Sequence, residues 1–513
     1  MNITSPPLEK ATRESIPATD DGEGAVVTME QQQKEDLDEG NTHVSGEKQA
    51  QDCDDNSMTS LRKAMSEASI ADMLQQEHSN LSPQEQEYFD DLVHGNTSFS
   101  PLQETPELLR HSLKEMEVEL TALPESQKES YTKALTMNGG AYVRDTDHRL
   151  KFLRAEAFDA KQAAVRFCAW LDVLEEMFGE VALTRKICLS DLSKDDMAAM
   201  KSGMFQPLPS RDRIGRRVIS IVLGDNMKTL SVHRQTKAAL YILTWISDDL
   251  TTQRSGIVRI FRPTADFNVL FPSLEDFNYL GKLYRAFPLR PTGIHVCVPG
   301  SPLVRKLLRP FFSRAQTTDN RLVTKLHVGS DLETTYVLQT EYGIPSKEIQ
   351  CTETGRMKVK NLNNWLKFRT KVEERKQMSI PFEGIDCPDF QTIAIRSGGS
   401  MFNHPPNKLF RSYLKELEEE WCKASKTVEK QRVISKIVDA IQGRGFRYVK
   451  WSDSEGCYMP LKSPDDIRCF VATSLRDQIK RTKAKRSLLV QRDVKSGDFF
   501  FSPQEKKARI EKK

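Results

Sequence analysis

Residues 302–314, PLVRKLLRPFFSR, combine two kinds of chemistry in one short stretch. Leu303, Val304, Leu307, Leu308, Phe311 and Phe312 recur at i, i+1, i+4, i+5, i+8 and i+9, which predicts one apolar stripe along a helix. Arg305, Lys306, Arg309 and Arg314 stand between the apolar pairs and make much of the other side basic. A greasy stripe bordered by cations suits a helix at a phospholipid surface or over an apolar cavity. An ordinary helix packed on a sheet has the same pattern. Pro310 withdraws one backbone donor near the end of this helix, where a kink is tolerated.

Covalent chemistry has no comparable signal. The chain carries no G-x-S-x-G, H-E-x-x-H or G-x-x-x-x-G-K-[ST] pattern. Its nine cysteines are dispersed without a C-x-x-C pair, which argues against a zinc cage or a disulfide framework and for a reducing, intracellular setting. His233, His295 and His327 have no carboxylates at ligand spacing and are expected to be structural. The expectation is a protein that is not an enzyme, with no cofactor and no metal.

At 513 residues there is room for two to four domains. No run approaches the ~18 apolar residues of a spanning helix, and residues 1–10 do not read as a signal peptide. Net charge is only +3, but it is unevenly spread. Residues 1–80 are acidic and poor in aromatics, a composition that predicts a disordered tail. The other end is basic, with KRTKAKR at 480–486 and KKARIEKK at the terminus.

Between the tails, helical periodicity runs over 106–123 and 148–179, with a break at Phe158-Asp159 where Asp159 is available as a cap. Strand patterns follow at 217–224, 256–263, 293–300 and 322–329, separated by helical patterns at 233–250, 273–287 and 302–314, with another at 330–343. Such alternation at crossover length predicts one α/β sheet of largely parallel character. A polar helix over 361–377 and a linker over 379–388 lead to a last domain of three helices and a hairpin, FRYVKW with GCYMPL.

Residues 145–350 resemble the CRAL-TRIO lipid-binding module and the helical domain that precedes it. The resemblance rests on LKFLRAEAFDAKQAA (150–164), DRIGRRVISI (212–221), GIVRIFRPTADF (256–267), FPLRPTGIHVCVPGSPLVRKLLRPFF (287–312), HVGSDLETTY (327–336) and GIPSKEI (343–349). It is closest to the tocopherol-transfer and retinaldehyde-binding branch. Arg217 stands where that family has a proline, Arg262 where an acidic residue is usual, and Arg309 replaces the lysine of a K-P-F motif. The resemblance implies a sheet flooring an apolar cavity, with helix 302–314 as a movable lid. Since strand residues alternate between faces, one set lines the cavity: Ile219, Ile221, Ile257, Phe261 and Val296, with Tyr241, and Leu303, Leu307 and Phe311 from the lid. In that branch, basic residues beside the gate recognise phosphoinositides. The matching candidates are Arg290, Arg309 and Lys325, with Thr292 where a second basic residue is usual.

Residues 385–480 resemble a domain of unknown function with a G-R-G-G-G-x-x-N-x-H-x-G-N-K-x-F-R signature, matched here by RSGGSMFNHPPNKLFR (396–411). A Gly-Gly turn with His, Asn and Lys at a helix start suits either an anion cradle or a cap that fixes the turn.

The expected organisation is a disordered acidic tail (1–80), a helical region (81–180, CRAL-TRIO-N-like from about 145), a CRAL-TRIO domain (181–350), a polar helix and linker (351–384), a mostly α domain (385–480) and a basic tail (481–513). The expected function is binding of a lipid for transfer or sensing at membranes, by a cytoplasmic, membrane-peripheral protein. The alternative is a nuclear or signalling scaffold whose C-terminal domain and basic tail contact protein or nucleic acid.

Overall fold

The computed structural model describes residues 70–97, 103–223, 231–263, 274–298, 316–345, 357–396, 401 and 404–495. Most of the acidic tail therefore lies outside the described residues. Residues 70–79 of it are helical: α1 (Ile70–Ser79) precedes α2 (Pro83–His94), which opens on a capping box between Ser82 and Glu85. Helix α1 thus lies within the segment expected as the acidic tail.

A helical layer follows, with α3 (Pro106–Ala122), α4 (Glu129–Thr136), α5 (Thr146–Ala155) and α6 (Ala160–Phe178). The expected break is present. Ala157 and Phe158 adopt left-handed backbone angles, and Asp159 accepts from the Gln162 amide to start α6. After α7 (Lys194–Lys201) the chain enters the sheet.

The strands are β1 (Phe205–Arg211), β2 (Arg217–Leu223), β3 (Ile257–Pro263), β4 (Pro291–Val298) and β5 (Thr324–Val328), ordered β1-β2-β3-β4-β5. Neighbours from β2 to β5 are parallel, as the alternation predicts, and β1 is antiparallel to β2. No strand was expected over 205–211. Pro207 and Pro209 remove backbone donors, and a register irregularity falls between Pro207 and Arg211, so only an edge position accommodates this strand.

The connecting helices are α8 (Val232–Ile246) between β2 and β3, and α9 (Leu274–Ala286) between β3 and β4. In a sheet whose strand order follows the chain, right-handed crossovers put these helices on one face. Register assigns that face: Tyr284 of α9 lies over Arg259, and Arg259 stands opposite Ile219 and Ile294. The other face carries Arg262, His295 and His327 and is covered by α2 and by α10 (Asp331–Thr340).

The segment 379–388, expected as a linker, is built into the fold. Ile385 and Tyr458 exchange two backbone hydrogen bonds of 2.8 Å. Asp386 accepts from Arg217 Nη2 at 2.6 Å and from the Trp365 indole at 2.9 Å. Trp365 belongs to α11 (Lys360–Gln377), whose charged composition hides a buried stripe of Leu362, Trp365, Leu366 and Phe368 packed on the first sheet.

The second sheet has the order β6-β7-β8, with β6 (Thr392–Ile395) parallel to β7 (Arg447–Ser452), which pairs antiparallel with β8 (Cys457–Pro460). The predicted hairpin is β7–β8. Around it stand α12 (Pro405–Glu416), α13 (Thr427–Gln442) and α14 (Pro464–Lys495). The boundary expected at residue 481 falls inside α14, and residues 496–513 of the basic tail lie outside the described residues. The fold is mixed α/β with two sheets. Among the described residues no helix is long and apolar enough to cross a membrane.

Burial holds several imidazoles neutral. It lowers His148 to about 3, His327 and His404 to about 4, and His295 well below its ordinary value. Below pH 6.5 the unfolded chain takes up protons that these folded residues refuse. Stability therefore falls as pH drops from 6.5 toward 4, by about 1.4 kcal/mol per pH unit per histidine. Urea midpoints are expected to be lower at pH 5 than at pH 7, with a shallower difference in His327→Gln. Equal midpoints would contradict this assignment.

Candidate functional site: the apolar face of the first sheet

Residues two apart on a strand share a face, so Ile219 and Ile221 of β2, Ile257 and Phe261 of β3, and Ile294 and Val296 of β4 form one apolar surface. All are buried. The five strand positions expected to line a cavity thus fall on one face. Tyr241, on α8, is also buried, but its hydroxyl donates to Glu373 of α11, beside Arg369. Leu303, Leu307, Phe311 and Arg309 lie outside the described residues.

The basic candidates do not converge. Arg290 sits half-buried just before β4, in a small cleft with Tyr284, Thr317 and Asn320. Lys325 stands on β5 opposite His295, five residues beyond Arg290 in the chain, roughly 16 Å away at strand rise. Its ammonium is held by Asp90 at 2.6 Å.

Two cations stand on this face: Arg217, which pairs in register with Ile257 and is held by Asp386, and Arg259, which has no carboxylate among the described residues. Arg259 occupies β3 between Ile257 and Phe261 and is only 2% exposed. Its Nε and Nη1 have no hydrogen-bond acceptor. Nη2 makes one long contact, 3.4 Å, to Gln316 Oε1, while the Gln316 amide nitrogen is itself buried and unsatisfied. The Tyr284 ring lies 4.8 Å from the guanidinium carbon and Phe261 6.0 Å. Burial pushes the guanidinium down to about 10, so it remains a cation at neutral pH. Sequence reasoning passed over Arg259, although a charged residue at i between apolar residues at i−2 and i+2 of a buried strand was visible in GIVRIFRP.

The opposite face pairs its charges. Arg262 donates to Asp331 at 3.0 Å and to Thr335 at 3.1 Å. His295 Nδ1 and His327 Nε2 are 3.1 Å apart, and both rings meet Tyr342.

In the second sheet the signature residues have a structural use. β6 is an edge strand, and Asn407 of α12 covers it: Oδ1 accepts from the Ala394 amide at 3.0 Å, and Nδ2 donates to the Ala394 carbonyl at 2.8 Å and the Met401 carbonyl at 3.1 Å. His404 Nε2 donates to the Thr392 carbonyl at 2.9 Å. These side chains stand in for a neighbouring strand and close the edge. Beside them lies a cleft of about 310 Å³ between β6, α12 and α14, floored by Phe410, Leu414 and Phe470. Arg396, Arg411 and Arg481 line it, and Arg396 stacks over Trp451 at 4.1 Å. Burial, then the neighbouring Arg481, lowers the Arg411 guanidinium.

Residues 393–477 match the domain of unknown function DUF6824. The match begins at β6 and ends within α14, so it takes in the closed edge, the hairpin and most of the arginine cleft. No curated protein matches the chain.

Asn407→Ala removes three hydrogen bonds and leaves the Ala394 amide and carbonyl open. A loss of about 2 kcal/mol is expected in denaturant unfolding, together with concentration-dependent association through the freed β6 edge. A monomeric variant of unchanged stability would argue against the edge-closing role.

Proposed function

We propose that the protein binds a hydrophobic ligand, without chemically altering it, on the apolar face of its first sheet, for transfer or sensing of lipid at membranes. The observation that carries this is the presence of unsatisfied donors, on Arg259 and Gln316, inside a mainly apolar surface whose other cation, Arg217, is paired with Asp386. A finished core pairs its buried polar groups, and a ligand that brings acceptors completes this one. The resemblance of residues 145–350 to CRAL-TRIO proteins supports the same assignment. An apolar ligand gains about 25 cal/mol per Å² of surface removed from water there. Phosphoinositide recognition would fall to Arg290, Arg309 and Lys325, the last of which is already paired with Asp90.

Native mass spectrometry and organic extraction of the purified full chain are expected to find a co-purifying lipid, or stoichiometric uptake from liposomes. Absence of both would overturn the proposal.

The cleft lined by Arg396, Arg411 and Arg481 supports a second activity, contact with an acidic protein or nucleic acid by a nuclear or signalling scaffold. Binding of a single-stranded oligonucleotide, followed by anisotropy, is expected to weaken steeply with salt and by at least about tenfold in the Arg411→Ala, Arg481→Ala double variant. No binding at low salt would remove the nucleic-acid version.

A further inference from the structure

We propose that the ligand of the apolar face carries one anionic head group, a carboxylate, for which Arg259 is the counter-ion, and that it is bound with this head group inward against the sheet. This deepens the hydrophobic-ligand proposal and rests on it.

The protein supplies its own comparison. Seven arginines among the described residues are buried: Arg149, Arg211, Arg216, Arg217, Arg259, Arg262 and Arg369. Six of them touch a carboxylate, from Glu117, Asp249, Asp212, Asp386, Asp331 and Glu373 respectively. Arg217 and Arg262 also leave Nε without an acceptor, yet each has a carboxylate oxygen within 3.0 Å. Arg259 is the exception: its neighbours are Tyr284, Phe261 and a side-chain amide. A buried charge without a partner is costly, and this cation cannot escape by losing its proton at neutral pH.

The chemistry of the missing partner follows from the shape and charge of the site. Both edges of the guanidinium fork offer an open N–H, and Nη2 has only the long Gln316 contact to give up. A planar carboxylate meets such a fork with two parallel hydrogen bonds. One cation among Ile219, Ile294, Phe261 and Tyr284 neutralises one negative charge, whereas a dianion would leave a second charge stranded in apolar surroundings. The Gln316 amide nitrogen, also without an acceptor, supplies a further donor.

The test uses the full chain and two ligands differing only at the head, hexadecanoate and hexadecanol, offered from neutral phosphatidylcholine vesicles. Wild-type protein is expected to favour the acid, and Arg259→Met to lower the acid-to-alcohol uptake ratio by about tenfold or more while still taking up the alcohol. In the ligand-free protein, Arg259→Met is expected to raise the melting temperature, because it removes an unpaired buried charge. Arg217→Met, which strands Asp386, is expected to lower it. Should Arg259→Met fail to fold, Arg259→Gln takes its place in the uptake comparison. Equal uptake of acid and alcohol by the wild type, or an unchanged ratio in the variant, overturns the carboxylate assignment and leaves hydrophobic-ligand binding standing. Uptake of neither ligand by the wild type sinks both.

Discussion

Arg216 and Asp212 form the joint on which the first sheet is assembled. Both side chains are almost wholly inaccessible, and Arg216 Nε donates to Asp212 Oδ2 at 2.6 Å. The same guanidinium donates to the Thr292 carbonyl of β4 at 2.9 Å and to the Leu92 and Val93 carbonyls at the end of α2. One residue thus ties the β1–β2 turn, a strand two places away and the orphan carbonyls of a helix C-terminus. Asp212 completes the arrangement by accepting the Arg216 amide at 2.8 Å. Gly95 and Gly215 turn the chain beside this pair with positive φ, and a Cβ at Gly95 would come within 3.2 Å of the Arg216 side chain. Removing either charge would strand the other, which costs about 3–5 kcal/mol in a buried pair.

With that joint in place, the two faces of the sheet have opposite economies of charge. The face under α2 and α10 matches Arg262 with Asp331 and Lys325 with Asp90, and stacks its two histidines. The face under α8 and α9 is hydrocarbon apart from two guanidiniums, Arg217 at its edge, paired with Asp386, and Arg259 without a carboxylate. Alternation along β3 sends Arg259 one way and Arg262 the other, so neighbouring arginines in a single strand meet entirely different surroundings. The contrast makes the apolar face the place to look for a ligand.

The buried arginines of β1 and β2 also reach beyond the sheet. Arg217 reaches Asp386, and Arg211 reaches Asp249 and the Pro388 carbonyl. The first sheet is thereby anchored to the segment that leads into the DUF6824 region, and α11 adds the Tyr241–Glu373 and Trp365–Asp386 hydrogen bonds. What composition presents as a polar connection is a packed one. The cations that look available in the sequence are the means of holding the two sheets in one compact unit.

Sequence alone determined the local structure: four parallel strands to within about two residues, the Asp159 cap, the β7–β8 hairpin, and the common face of Ile219, Ile221, Ile257, Phe261 and Val296. These follow from periodicity, capping and alternation, which act over a few residues. β1 escaped because its prolines suppress the strand pattern, and β6 because it has four residues and an edge closed by side chains. Only the tertiary structure decided which charges are paired. Arg217 and Asp386 are 169 residues apart in the chain, and Lys325 and Asp90 are 235 apart. No local rule distinguishes Arg217 from Arg259. The segment after α11 brings a carboxylate within reach of one, and the β3–β4 crossover brings a tyrosine ring to the other.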